Sequence, residues 1–597
     1  MADPIRAVAA ESLAGRAAPR PADPAASRRP RAGRLLAAVP VLTLVLFLAP
    51  IAVGLFGTWI PAFGYLPALG GTEAGLGPWR TLFESPSLPG AVQLTLLTGF
   101  LSTALALILS LGLCAAWHGS RMMAAARRAL APLLAVPHAA LAIGLMFLLS
   151  GSGWLARGVA AGSGVLGMPV WERPPVFGMV QDPWGLALTF GLMLKETPFL
   201  MLMIVAASGQ VRIERTLAVA RTAGYGPVTA WVKTVLPQIY PQIRLPVYAV
   251  LAYSLSVVDM ALILGPSTPP PLAPLVLRWF NDPDLTMRFV AAAGACLQLL
   301  IVAAGIAIWY GAERLIARVA RPWLSGGHRG GSGRVARAAT GGGMALALLA
   351  AAVSLAALAV WSLAYRWRYP DLVPSAWTLG TWDRNLPALA WPAWTTLGVG
   401  AAATAIALVL TIACLEYEQR AGVRPTTRAL WLLYTPLLVP QIGFLFGMQV
   451  LLVVLRLDGT WPALVWSHLL FVLPYVFLAL AEPWRALDER YVRTAACLGA
   501  PPWRVFWRIT LPMLLRPVLI AAAIGFAVSV AQYLPTLFAG AGRLTTLTTE
   551  AVGLAGGADR RVIAVYAFAQ MSLPLIGFAV ALAVPALLFR HRRGMRA

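Results

Sequence analysis

The residues best suited to chemistry stand where the chain is least polar. Lys195-Glu196 interrupts an apolar stretch over residues 185–207, directly ahead of Thr197-Pro198, and Asp259 interrupts another over 245–265. A charged side chain near the middle of a bilayer costs at least ~2.5–3.5 kcal/mol on insertion scales, so it faces a partner or a polar cavity. Neighbouring residues on a helix point about 100° apart, which sends Lys195 and Glu196 to different surroundings. Pro198 removes a backbone hydrogen bond beside them and kinks the helix. Two uses fit these residues: neutralising polar groups of adjacent helices, or lining a polar route across the membrane. Asp259 pairs with Gln532 in a later, similar stretch, and that pair fits the same route. Phe471-Val472 occupies the place of Lys195-Glu196 there, so any site is one-sided. His138 and Gln441 read as local hydrogen-bonding residues.

Other chemistry finds little material. A phosphate-cradling GxxxxGK[ST] loop needs a lysine after glycine; the chain has two lysines, Lys195 and Lys233, and neither follows a glycine. The GxGxxG match Gly162–Gly167 lies in a segment between apolar stretches, not between a strand and a helix, and reads as a loop. Cys114, Cys296, Cys414 and Cys497 are scattered, and the five histidines show no paired spacing. That argues against a disulfide framework or a metal site. No paired carboxylates or nucleophile–base arrangement stands out. The reading is therefore a non-enzyme without a cofactor.

The elements that must position these residues are membrane helices. Of 597 residues, 59% are hydrophobic and 12% charged, where a soluble domain carries about 25% charged residues. The net charge of +24 would raise nucleic acid as a partner if it formed a patch. Instead the charges sit in short loops between long apolar runs, as the positive-inside rule demands. Spans of roughly 20 apolar residues are expected over 35–58, 90–116, 129–150, 185–207, 245–265, 289–311, 342–365, 393–415, 429–455, 461–482, 513–534 and 562–589. With the N-terminus cytoplasmic, 34 of the 47 Lys and Arg fall on the cytoplasmic side, so both termini are placed there. Residues 1–34 read as a disordered basic tail.

The chain repeats itself. Thr95-Leu96 and Thr396-Leu397 open corresponding spans, Arg128-Ala129-Leu130 matches Arg428-Ala429-Leu430, and Pro198-Phe199 matches Pro474-Tyr475. Arg288 and Gln298 match Arg561 and Gln570. The expected fold is an all-α membrane protein of twelve helices, two parallel six-helix halves (35–320 and 342–597) about an axis along the membrane normal. The Gly-, Ser- and Arg-rich segment 321–341 reads as a flexible cytoplasmic linker.

The clearest match lies in the loop between the fourth and fifth spans of each half. Helix-forming residues run to Gly224 or Gly499, a turn with proline follows (Pro227; Pro501, Pro502), and an aromatic amphipathic stretch leads to Leu236-Pro237 or Leu511-Pro512 at the same interval. Glycine supplies the turn that ends a helix, and proline is tolerated at the start of the next. One such loop could be any interfacial helix; two in equivalent places call for a shared role.

This pattern resembles the EAA loop of binding-protein-dependent ABC transporter permeases, in the two-copy fused form of the thiamine, ferric-iron and polyamine types. The resemblance implies an inner-membrane importer channel that works with a cytoplasmic ATPase dimer and a periplasmic binding protein by alternating access. It places coupling helices near Leu217–Val228 and Val492–Trp503. Their ATPase-facing residues would be Ala218, Val219, Ala220, Gly224, Tyr225 and Pro227, and Arg493, Thr494, Ala495, Gly499, Ala500 and Pro502. The family's glutamate position holds Ala218 and Arg493. The rival is an ion-coupled secondary transporter with the same span count.

Overall fold

The computed structural model describes residues 34–165, 172–175, 178–423 and 432–590. The tail at 1–33, the Arg428-Ala429-Leu430 match, part of the Gly162–Gly167 segment and the last seven residues lie outside them. The first half contains α1 (Arg34–Ala62), α2 (Leu88–Trp117), α3 (Arg121–Ala135), α4 (His138–Leu149), α5 (Leu186–Ser208) and α6 (Ile213–Thr222). It continues with α7 (Leu236–Ser256), α8 (Asp259–Leu264), α9 (Leu272–Phe280) and α10 (Met287–Val319). The second contains α11 (Arg334–Leu363), α12 (Gly380–Ala421), α13 (Ile442–Val454), α14 (Trp461–Arg485), α15 (Glu489–Cys497), α16 (Leu515–Val530), α17 (Leu534–Gly540), α18 (Leu547–Ala555) and α19 (Arg560–Leu588). A two-stranded antiparallel ribbon, Ala364–Arg366 with Ala376–Trp377, lies between α11 and α12.

Among the described residues nine helices are long and apolar enough to cross a membrane, or ten if the bent pair Pro502–Met513 and Leu515–Val530 counts as one. Residues 138–163 are among the nine; the expected stretches without such a helix are 245–265, 429–455 and, unless the bent pair is counted, 513–534. The chain is interrupted within each stretch expected as a third or fifth span. α3 gives way to α4 at Val136-Pro137, and α7 to α8 at Val257-Val258. The stretch expected at 429–455 contains the turn Thr435–Leu438, then Pro440, then α13. Proline cannot donate to the preceding turn, and irregular backbone at membrane depth persists only where protein covers it.

The division of the chain at 321–341 is not the division in space. α1 packs on α13 and α12 of the second half, while α11 packs on α4 and α2 of the first. The two largest apolar cores mix the halves: one joins the first half to Met344–Trp361 of α11 and to residues of α18 and α19, the other joins the second half to Phe47 and Ile51 of α1 and to residues of α9 and α10. Glycines permit the crossings. A β-carbon on Gly144 would sit 2.6 Å from the Ser354 carbonyl oxygen, and one on Gly57 would sit 2.9 Å from the Gly447 α-carbon. Close backbone approach through small residues is how membrane helices gain dispersion contacts. Gly447 N–H also donates to Thr58 Oγ1 at 3.1 Å and Trp466 Nε1 to Leu46 O at 3.0 Å.

Arg157 is a second lock between halves. Its Nη1 donates to Arg368 O (2.7 Å) and Asp371 O (2.6 Å), and its guanidinium lies 4.7 Å from the Trp367 ring centre.

The internal repeat reaches individual hydrogen bonds. Thr95 Oγ1 donates to Ala91 O at 2.8 Å and accepts from Leu272 N–H, the first residue of α9, at 2.8 Å. Thr396 Oγ1 donates to Pro392 O at 2.7 Å and accepts from Leu547 N–H, the first residue of α18, at 2.9 Å. Each threonine thus serves a helix N-terminus that has no partner within its own turn.

Candidate functional site

The two long basic loops end their first helix identically. α6 stops at Thr222 and Gly224 adopts φ +82°; α15 stops at Cys497 and Gly499 adopts φ +77°. Gly224 N–H donates to Arg221 O (2.9 Å) and Tyr225 N–H to Ala220 O (3.1 Å). Gly499 N–H donates to Ala496 O (3.0 Å) and Ala500 N–H to Ala495 O (3.0 Å). These two reversed bonds around a left-handed glycine form a Schellman motif. Short helices Pro227–Ala230 and Pro502–Val505 follow. Each runs through a π-type turn, Trp231–Val235 or Phe506–Thr510, into the fifth span.

This corrects the expected single helices over Leu217–Val228 and Val492–Trp503. Each is a pair of helices hinged at the glycine, because left-handed φ at that residue cannot continue a right-handed helix. Ala220 and Ala495 are buried and anchor the motif with their carbonyls, whereas Ala218, Val219, Arg493 and Thr494 face outward. Pro502 is exposed as well, and Tyr225, Pro227 and Ala500 are half-buried. Arg493 pairs with Glu489 one turn earlier, Nη2 to Oε2 at 2.6 Å. Beside the first loop, Arg212, Arg215, Val219 and Tyr225 line an open groove of about 570 Å³.

The second polar region sits at the broken spans. Lys195 is buried, and its Nζ donates to Leu133 O (2.9 Å) and Val136 O (2.5 Å). Those carbonyls end α3, where the break leaves them without helical partners. An ammonium there also meets the negative end of the helix dipole. Lys195 is thus a cap for a helix that stops inside the membrane. Glu196, equally buried, makes no hydrogen bond among the described residues; it interacts electrostatically with Lys195, Tyr253 and Tyr475. Asp259 opens α8 and interacts with Tyr253. Tyr533 approaches the same carboxylate from the second half. His138 at the start of α4 lies against Tyr253, ring centres 4.9 Å apart. The cluster therefore draws on both halves and sits between them. Among the described residues no group of three or more His, Cys, Asp or Glu is placed to hold a metal ion.

The chain matches a relative along nearly its whole length. The inner membrane ABC transporter permease protein YnjC of Escherichia coli (strain K12) is 33% identical over 575 residues, 94% of this chain and 100% of that protein. Residues 420–590 match the family model of the binding-protein-dependent transport system inner membrane component. The chain belongs to the binding-protein-dependent ABC transporter permeases. Shorter matches point the same way. The putrescine transport system permease protein PotI of E. coli (strain K12) is 29% identical over 24% of this chain and 54% of its own length. The molybdenum transport system permease protein ModB of Mycobacterium tuberculosis is 38% identical over 14% of this chain and 33% of its own length. This permease is accordingly a multi-pass inner-membrane component of an importer. Its family works with an ATPase and a periplasmic binding protein.

Within the permease, one sequence pairing is corrected. Gly224, Leu236 and Leu272 correspond to Gly499, Leu511 and Leu547 in a single unbroken register. That register puts Leu534, not Gln532, opposite Asp259. Gln532 is buried in the break between α16 and α17, where the first half has Val257. Gln298 and Gln570 do correspond, and they serve the same carbonyl. Gln298 Nε2 donates to Leu255 O at 3.0 Å. Gln570 Nε2 reaches the Thr548 hydroxyl at 2.6 Å, and Thr548 donates to Val530 O.

Three partly buried tyrosines of the polar cluster, Tyr253, Tyr475 and Tyr533, are absent from the residues singled out by sequence. A phenol in an apolar run carries no charge to betray it; only Tyr475, next to the repeated Pro474, left a signal. His468 stands in an apolar run with no second histidine at paired spacing to mark it. It is fully buried and joins Ser529 Oγ (2.8 Å) to Thr536 Oγ1 (2.9 Å).

Proposed function

We propose that this permease supplies both halves of its channel in one chain of twelve crossings, with both termini cytoplasmic. A separate ATPase dimer seats on the loops at α6 and α15 and levers the halves through them. In this reading Ala218, Val219 and Ala223 on the first loop, and Arg493, Thr494 and Leu498 on the second, meet the motor. Ala220 and Ala495 hold the turn from beneath. The solute, delivered by the binding protein, passes between the halves beside Glu196, Asp259 and Gln532. Lys195 positions the broken third span rather than touching solute. The broken third and fifth spans give each half a joint at mid-membrane, as alternating access requires.

One observation carries the proposal: the same Schellman-terminated basic loop occurs twice, the first running directly into α7 and the second reaching α16 through a 72° bend at Leu514. Motion imposed on either loop is thereby passed to a helix of the channel. The test is Gly224→Val and Gly499→Val, each assayed with the ATPase co-expressed. A β-branched residue at φ near +80° is strongly disfavoured, so each variant should lose uptake and release or uncouple the ATPase. Normal uptake and normal ATPase retention in both would refute the assignment. The buried carboxylates also suit an ion-coupled carrier; uptake that survives ATP depletion and stops when the proton gradient collapses would favour that rival.

A further inference from the structure

The segment joining the halves is strapped across the first loop and not across the second. Lys233 Nζ donates to Gly326 O at 2.8 Å while lying over the rings of Trp323 (4.7 Å) and Tyr225 (5.2 Å). Gly226 N–H donates to Arg329 O at 2.8 Å. A β-carbon on Gly224 would lie 3.3 Å from the Arg329 side chain, and one on Gly226 would collide with Gly331 O. Gly330 and Gly333, at φ +68° and +71°, press on Thr229 and Val228. The expected flexible linker of 321–341 is thus a short helix (Arg321–Ser325), a strap, and the beginning of α11 at Arg334.

The second loop lacks the tyrosine, the backbone N–H and the lysine that the strap uses. Ala500 replaces Tyr225, Pro501 replaces Gly226 and has no N–H to give, and Arg508 replaces Lys233. Gly499 has open space where Gly224 meets Arg329.

We propose that the strap, residues 323–333, is part of the motor-docking surface of the first half. One ATPase subunit then seats on a composite of α6 and strap, and the other on a bare loop. Tyr225 lines the groove beside α6 and lies under Lys233, which holds the strap at Gly326, and Arg329 is exposed. With Arg212 and Arg215 it makes a basic lip that suits an acidic rim on the motor. The two docking sites differ, so the permease can tell its two motor subunits apart. This inference rests on the loops being the motor's seats.

The test uses the full-length permease with Cys497→Ser, which removes the exposed native thiol. Single cysteines are placed at Gly327, which is exposed and in open space, and at Leu498, which is 82% exposed on the second loop. Both should react with a polar maleimide in the permease alone. Both should slow about tenfold once the ATPase is bound, as burial limits access. Protection of Leu498→Cys without protection of Gly327→Cys overturns the inference and leaves the loop assignment standing. Protection of neither overturns both. As a second measurement, Lys233→Met should speed tryptic cleavage after Arg329 and lower the ATPase retained, while Arg508→Met should change neither. Unchanged cleavage and retention in Lys233→Met would also overturn it.

Discussion

At mid-membrane the fourth and fifth spans of the two halves solve one problem with different chemistry. Both halves break the third and fifth spans there and must cover the freed backbone. The first half uses charge: Lys195 caps α3, with Glu196 and Asp259 close by. The second places neutral hydrogen bonds at its fifth-span break instead: His468 bridges Ser529 and Thr536, Thr536 donates on to Gln532 O at 3.1 Å, and Phe471-Val472 fill the place of the charged pair. A charged cap binds more strongly but leaves carboxylates in an apolar setting, and these can interact with a solute. A neutral network holds position without attracting anything. The halves therefore share a skeleton but differ in what they place at the break: buried charge in the first, neutral hydrogen bonds in the second.

That contrast can be broken by substitution. Lys195→Met is expected to be the most damaging, costing about 3–5 kcal/mol, because it strands a buried carboxylate and uncaps α3 together. Thermal unfolding of the solubilised permease would show it, with Phe471→Met nearly neutral as the second-half control. Glu196→Gln and Asp259→Asn should keep stability and lower uptake about tenfold, a change of ~1.4 kcal/mol. Gln532→Leu should lower uptake much less; an equal loss would mean that both halves line the route alike. Thr95→Val and Thr396→Val test where the halves do not differ. Each should cost about 1–2 kcal/mol by stranding one helix-opening N–H, and the two unfolding shifts should agree. His468→Leu should be mildest at about 1 kcal/mol, because Thr536 still donates to its own helix. A loss of uptake without a loss of stability there would assign chemistry to the second half after all.

The site was legible in the sequence where a residue type announces itself. Lys195, Glu196 and Asp259 are conspicuous because hydrocarbon penalises charge, and Gly224 and Gly499 because a left-handed turn needs glycine. Both turns form as their residues require. The helices that the resemblance implies, near Leu217–Val228 and Val492–Trp503, run past those glycines, whereas α6 and α15 end before them. The pairing of Asp259 with Gln532 failed because side-chain similarity was weighed over register. Only the glycine and Leu-Pro landmarks carry register across both loops.

By itself the sequence determined the solvent, most of the long apolar helices and the turn residues. Each of these follows from local composition: apolar length, loop charge and backbone freedom. Tertiary structure alone decided that α1 and α11 change places between the halves, that Lys195 caps a broken helix rather than pairing with Glu196, and that a glycine-rich connector lies against one loop and spares the other. These depend on which surfaces meet across hundreds of residues. In a membrane, where lipid and side chain are equally apolar, close packing and carbonyl satisfaction select those partners, and neither is written in the local pattern of any one segment.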